Sequence, residues 1–346
     1  MQEEVLNIRT DLAVESLQSF QDIVVKEEEL EGVLVSTVII KAEQAKRIGK
    51  QAGTYITLHA KNVRQVEEQL ALENALVKAM QSLLPVVTSQ KDINCLIVGL
   101  GNPDVTPDAL GPNTCKRLFV THHLNEVDRG QGFEKVAVLT PGVMGTTGME
   151  TADIVKGVVT TLQPDFVIVI DALAARSIER VYRTIQLSDA GIHPGSGVGN
   201  HRKALTKESL GVPVLAVGIP TVVDAATIAS DAIDFLLKHL GKEAREADDP
   251  GKKLAPAGFG THELTDEDIP DEGKRKTYFG AIGLLSSEEK KQLILEALTP
   301  LGHNLMVTPK EVDAFIEDVA DIVANGLNRA LHPAIADKNR SMYSPN

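Results

Sequence analysis

Residues 94–112 read Asn94-Cys-Leu-Ile-Val-Gly-Leu-Gly-Asn-Pro-Asp-Val-Thr-Pro-Asp-Ala-Leu-Gly-Pro112, an apolar run that breaks into a glycine turn and delivers a carboxylate, Asp108. A second apolar run, Phe166-Val-Ile-Val-Ile-Asp171, also ends on a carboxylate. Short continuous apolar runs bounded by turn residues fit strands buried on both faces. In open α/β sheets, ligands bind outside the carboxyl ends of such strands. The two runs therefore predict a sheet that carries Asp108 and Asp171 to one edge.

Working outward, further strands are expected at 135–139, 183–187 and 213–218, alternating with helical patterns that begin near Asp108, Glu150, Leu173 and Thr221. This alternation predicts an α/β fold: a mostly parallel or mixed central sheet with helices on both faces, in three layers. Upstream, Val33–Ile40 and Thr54–Leu58 read as strands around a short helix, Ala42–Lys50. Val63, Val66, Leu70, Val77, Met80 and Leu84 recur at helical spacing before Pro85, so Val63–Leu84 is expected to be an amphipathic helix packed on the sheet. Residues 12–346 are expected to form a single α/β domain, with 241–280 a polar, exposed connection and 281–334 a helical appendage. Two helices should build that appendage, one capped by Ser286 with Glu289, the other opened by Thr308, Pro309 and Glu311.

Bulk properties narrow the function. The net charge of −13 argues against a protein that tracks nucleic-acid phosphates. The two cysteines, Cys95 and Cys115, lack metal-ligand spacing and read as buried, reduced thiols of a cytosolic protein. The first residues carry no basic region followed by an apolar core, and no run of about 18 apolar residues occurs. A membrane partner is therefore not expected.

Each conspicuous motif also has a plain structural reading. Gly99 and Gly101 after a strand suggest a dinucleotide site, but Asp104 stands where the third glycine belongs, so a nucleotide cofactor is not expected. Asp108 follows Pro107, where an aspartate commonly caps a helix. Asp171, behind five apolar residues, would be costly to leave ionised without a purpose. Two such carboxylates at one sheet edge favour chemistry.

The glycine loops Pro141–Glu150 and Ser188–Asn200 offer candidate substrate-binding residues or backbone donors: Gly145 and Thr147 in the first, His193, Gly195, Ser196 and Gly197 in the second. Ser196 does not sit in a nucleophile elbow. The nine histidines form no His-Glu-x-x-His or other tight ligand cluster, so no metal is expected, although His193 and His201 flanking the glycine loop keep an Asp/Asp/His metal site as the rival. His122 and His123 are expected on different faces of a helix.

These stretches resemble the germination proteases of spore-forming bacteria, endopeptidases that degrade small acid-soluble spore proteins. The resemblance covers essentially the whole chain. It is carried by Arg9-Thr-Asp-Leu-Ala-Val-Glu15, by the two turns quoted above, by Pro141–Gly145, Ile170–Arg180, Gly191–Asn200, Pro220–Ala225 and Gly302–Pro309. It implies a homotetrameric peptidase of the spore core, made as a zymogen, whose two essential aspartates fall on Asp108 and Asp171. Departures such as His122 and Ala190 leave both aspartates untouched. A more distant similarity to hydrogenase maturation endopeptidases would supply a metal-binding glutamate at the position of Ala109, whose methyl group cannot ligate a metal.

The resemblance also implies an N-terminal activation segment, residues 1–11. Thr10–Glu15 is similar to the sites that the family cuts in spore proteins, with an acidic residue before the bond and an apolar one after it. Cleavage is expected between Asp11 and Leu12. The expected chemistry is peptide hydrolysis by two carboxyl groups, one protonated and one ionised. The rivals are a metal-dependent peptidase of the same fold and a non-catalytic module that binds an anion or nucleotide.

Overall fold

The computed structural model describes residues 10–17, 20, 23–84, 93–193, 202–246, 265, 268–298 and 305–335. The chain divides into two compact units, Met1–Val223 with Thr308–Asn346, and Asp224–Val307. The first holds a sheet of eight strands: β1 (Val25–Leu30), β2 (Val33–Ile40), β3 (Gly53–His59), β4 (Asn94–Gly99), β5 (Lys135–Leu139), β6 (Phe166–Ala175), β7 (Thr184–Ser188) and β8 (Val214–Asp224). Their order across the sheet is β1-β2-β3-β7-β8-β6-β4-β5. The four strands β8-β6-β4-β5 run parallel, and β1, β2, β3 and β7 extend the sheet antiparallel from β8. The fold is thus α/β with a mixed sheet.

Burial explains why the central runs are apolar without alternation. Successive strand residues face opposite sides of a sheet, and in β6 every residue but the half-buried Ala172 is buried. Both faces are therefore covered. The amphipathic helix occupies Val66–Leu83, somewhat shorter than its apolar pattern. It packs against the last helix, Val312–Leu331, where Gly326 admits the side chain of Leu76.

Several expected elements differ. The helix expected near Leu173 is strand: β6 continues to Ala175 because Ala172–Ala175 pair with β8 beyond a bulge at Leu173/Ala174, and tertiary pairing outweighs the helix propensity of alanine. The helix expected from Thr221 starts at Ala225, since the β-branched run Thr221-Val-Val stays in β8. Thr308 caps nothing; its hydroxyl donates to the Thr221 carbonyl at 2.9 Å, and the last helix begins at Val312. His122 and His123 lie in a turn rather than a helix. β1, polar and exposed along Lys26–Glu29, has no counterpart in the expected elements.

The second unit contains helices Ala225–Glu246, Glu272–Phe279 and Ser287–Leu298, so the run from Gly241 stays helical as far as Glu246. Ser286 and Glu289 form the expected reciprocal cap, Ser286 N–H donating to Glu289 at 2.8 Å and Glu289 N–H to Ser286 Oγ at 3.2 Å. Among the described residues, no helix is long and apolar enough to cross a membrane. Cys95 and Cys115 are free and buried, and burial pushes the Cys115 thiol up to about 12.

One buried histidine ties the first unit's stability to pH. His332, 0% exposed at the end of the last helix, accepts the Glu134 N–H on Nδ1 at 3.1 Å and packs between Phe119 and Phe133. Burial lowers its pKa to about 4. Its folded pKa lies below the unfolded value near 6.5, so it contributes stability above that value which is lost as pH falls toward 4. Unfolding free energies from urea titrations between pH 7 and 4 should fall by up to about 3 kcal/mol more in wild type than in His332→Gln. Parallel pH curves for the two proteins would contradict this.

Candidate active site

The chain reverses its spatial direction between β4 and β6: β5 adds on one side of β4, and β6 returns to the other. Such a switch point opens a crevice at the carboxyl ends of the strands. The turn after β4 begins at Leu100, whose N–H donates to the Ile170 carbonyl of β6 at 2.8 Å. Gly101 follows at φ +116, and a Cβ there would lie 1.9 Å from the Asp108 carbonyl oxygen, so only glycine fits this turn.

Asp108 closes a short 3-10 turn, Thr106–Asp108. Its carboxylate does not cap the following helix, which opens on Ala109 without a side-chain cap. It turns back instead, and Asp108 Oδ2 accepts the Asn102 N–H at 2.8 Å. The default capping role is thus absent, and the carboxylate is held by the turn itself.

Asp171 lies within β6, four residues short of its end. Pairing with β4 stops at Ile170, opposite Gly99, so Asp171 is the first β6 residue beyond the reach of β4. Its carboxylate is 7% exposed and accepts the Ala172 N–H at 3.0 Å. Burial, reinforced by the charges of Asp108 and Asp11, holds its pKa well above the usual carboxylate range. Burial also raises Asp108, while the Asn102 N–H and Arg202 oppose the rise. The two carboxyl groups therefore feel each other, in different surroundings.

Asp171 lines a cavity of about 660 Å³ together with Asp11, Lys50, Gln186, His193 and Arg202. The N-terminal segment enters this cavity on the free edge of β6. Asp11 N–H donates to the Ala174 carbonyl at 2.9 Å, and Ala174 N–H donates to Asp11 Oδ2 at 2.9 Å. Lys50 Nζ donates to the Thr10 carbonyl at 2.9 Å. Leu12 and Ala13, both 0% exposed, follow directly. Glu15, 1% exposed, accepts the Arg176 N–H at 2.7 Å and the Ser177 N–H at 3.0 Å.

A profile of the family described as germination protease matches residues 2–344. The chain belongs to the germination protease family. The germination protease of Bacillus thuringiensis subsp. konkukian (strain 97-27) is 51% identical over 356 residues, covering 98% of this chain and 97% of the relative. That of Bacillus mycoides (strain KBAB4) is 52% identical over the same shares. The chain is accordingly a peptidase. Among solved structures, the NiFe hydrogenase maturation protease HycI from Thermococcus kodakarensis KOD1 aligns at 19% identity and a TM-score of 0.27, covering 38% of this chain and 76% of that one.

Of the residues expected in the site of this germination protease, Asp11, Asp171 and His193 line the cavity; Asp108 is outside its lining but close enough for its charge to act on Asp171, and Leu12 follows Asp11 as a fully buried residue. Burial and the Lys50 charge lower the pKa of His193. Gly145 and Thr147 lie in a one-turn helix, Met144–Thr147, outside the cavity lining, and the Thr147 hydroxyl donates to the Val143 carbonyl at 3.2 Å. Gly195, Ser196, Gly197 and His201 lie outside the described residues. Among the described residues, no three His, Cys, Asp or Glu side chains cluster as metal ligands. The sequence reading missed Lys50, Gln186 and Arg202. A lone Gln186 inside Thr184-Ile-Gln-Leu-Ser188 was the one available signal, a buried amide in a strand.

Proposed function

We propose that the protein is an endopeptidase that opens degradation of small acid-soluble spore proteins in the spore core, hydrolysing peptides with the Asp108–Asp171 pair. It is made as a zymogen that cuts its own Asp11–Leu12 bond, and it works as a homotetramer. The observation that carries this reading is the seating of Thr10–Ala13 beside Asp171, whose carboxyl is pushed up by burial and by two neighbouring carboxylates.

The pair shares one proton. Asp171, the more buried, holds it, and the half-exposed Asp108, supported by the Asn102 N–H and Arg202, stays ionised. Asp108 accepts a proton from water as the water oxygen bonds to the scissile carbonyl carbon. Asp171 gives its proton to the departing nitrogen as the carbon–nitrogen bond breaks. The acidic side chain before the bond, Asp11 in the zymogen, helps to keep Asp171 protonated.

N-terminal sequencing of incubated full-length protein tests the reading. The mature chain should begin at Leu12, having lost eleven residues, and the same sample should cleave a small acid-soluble spore protein. Activity should survive dialysis against a strong chelator. A mature chain that begins elsewhere would refute the processing site. Activity lost to chelation and restored by one metal ion per subunit would promote the metallopeptidase.

A further inference from the structure

The carboxylate pair supplies acid and base, but neither group holds the oxygen on which negative charge builds when water adds to the peptide. A side chain two strands away from β6 is hydrogen-bonded to that carbonyl oxygen. Gln186 of β7, 8% exposed, donates from Nε2 to the carbonyl oxygen of Asp11 at 3.2 Å. The other end of the same carboxamide, Oε1, accepts the Ala13 N–H at 2.6 Å. In an extended chain the carbonyl of one residue and the N–H two residues on point to the same side. The Gln186 carboxamide thus makes the two bonds that the N–H and C=O of a single residue on an adjacent parallel strand would make. It brackets the Asp11–Leu12 bond from one side, and it reads backbone alone.

The sheet aims this amide at the acid. Gln186 is in register with Gly218 of β8, and Gly218 with Asp171 of β6, so the three share one row and one face. Gly218 keeps the row open: a Cβ there would come within 2.4 Å of Leu173 Cδ1. Lys50, bound to the preceding carbonyl of Thr10, keeps the segment extended along this row.

We propose that Gln186 is a catalytic residue of the peptidase, its Nε2–H stabilising the oxyanion of the bond being hydrolysed, in the chain's own N-terminal segment and in any substrate laid along β6. The inference rests on the reading of Asp11–Leu12 as the processed bond. Water adds to the Asp11 carbonyl carbon, and the carbonyl electron pair moves to the oxygen held by Gln186. That pair returns as the carbon–nitrogen bond breaks and the Leu12 nitrogen takes the proton from Asp171. At 3.2 Å the hydrogen bond to the neutral carbonyl is long. It shortens and strengthens as charge develops, which is the condition for raising the rate rather than merely tightening binding. Because the carboxamide touches main chain only, substrate side chains are selected elsewhere in the cavity.

The test compares the single-turnover processing rate of the full-length chain with that of Gln186→Met, which keeps the length and loses the donor, and of Gln186→Glu. Gln186→Met should slow the appearance of chains that begin at Leu12 by about 10²–10³-fold at every pH. Gln186→Glu should be as slow near neutrality and recover relative to Gln186→Met as pH falls, when its carboxyl gains a proton to donate. Amide hydrogen exchange at Asp11 and Ala174 should stay protected in both. Processing by Gln186→Met within about threefold of wild type, while Asp171→Asn is inert, would overturn the role of Gln186 and leave the carboxylate mechanism standing. Slowing that accompanies lost protection would make Gln186 an anchor of the segment and overturn the proposal too. If the wild-type chain is cut elsewhere, the processing reading and this inference fail together.

Discussion

Asp171→Asn in the full-length chain is expected to lower peptide cleavage by at least about 10³-fold, since a positioned acid or base commonly contributes 10²–10⁴, while the folded protein gains stability. The two effects have one cause. A carboxyl 7% exposed, with Asp108 and Asp11 as neighbours, holds its proton in the folded chain at pH values where the unfolded chain has lost it. Its folded pKa is raised, so stability is highest below the ordinary carboxylate value and falls as pH rises toward the folded one. Asparagine removes that cost and can still accept the Ala172 N–H. A gain of about 1 kcal/mol near neutrality would raise the melting temperature by roughly 2–4 °C. Asp108→Asn should be equally inactive, and the double variant no worse than either single one, because acid and base act on one event. Asp108 can also be replaced without harm to the helix after it, which opens on Ala109 uncapped by any side chain. Near-normal turnover by either folded variant would remove the pair from the mechanism, whatever the gain in stability.

The parallel half of the sheet was legible because burial on both faces leaves a strand no choice but continuous apolar residues. Asn94–Gly99 and Phe166–Asp171 announce both position and depth. The continuation of β6 was hidden. Ala172-Leu-Ala-Ala175 satisfies helix propensity, and what makes it strand is pairing with residues 219–223, far along the chain, and with the N-terminal segment. β1 was hidden for the opposite reason: an exposed edge carries Lys26-Glu-Glu-Glu29 and has no apolar face to betray it. The same distinction separates the site residues. Asp171 ends a readable apolar run and Asp108 follows the glycine turn after another, so both could be named as candidates from the sequence. Gln186, Lys50 and Arg202 reach the cavity from three separate elements, and no spacing in the chain records that convergence.

Glu15→Ala is expected to move two activities in opposite directions, slowing self-processing and speeding cleavage of an added peptide. The Glu15 carboxylate, 1% exposed, accepts the Arg176 and Ser177 N–H groups at 2.7 and 3.0 Å. It also receives the Thr10 hydroxyl and faces the Arg180 guanidinium at 3.5 Å. Its removal leaves part-buried donors and a cation without this partner, a loss of about 3 kcal/mol, or roughly 10²-fold in the docking equilibrium constant of the segment. On the reading that self-processing needs Asp11 seated on Ala174 beside Asp171, its rate should fall by up to that factor. A peptide with the sequence Asn7–Leu17, added in trans, meets a cavity that its own segment has partly left, and its cleavage should rise. Thr10→Val, which replaces with a methyl group the hydroxyl that donates to Glu15 and accepts the Leu12 N–H, should shift each rate in the same direction as Glu15→Ala by up to about 30-fold, the worth of two hydrogen bonds. Rates that fall together in Glu15→Ala, with a lowered urea midpoint, would make Glu15 a support of the fold. Faster self-processing would mean that the docked segment blocks the site instead of presenting its bond to it. The opposed result alone fits a segment that is held as substrate and is, by being held, the inhibitor.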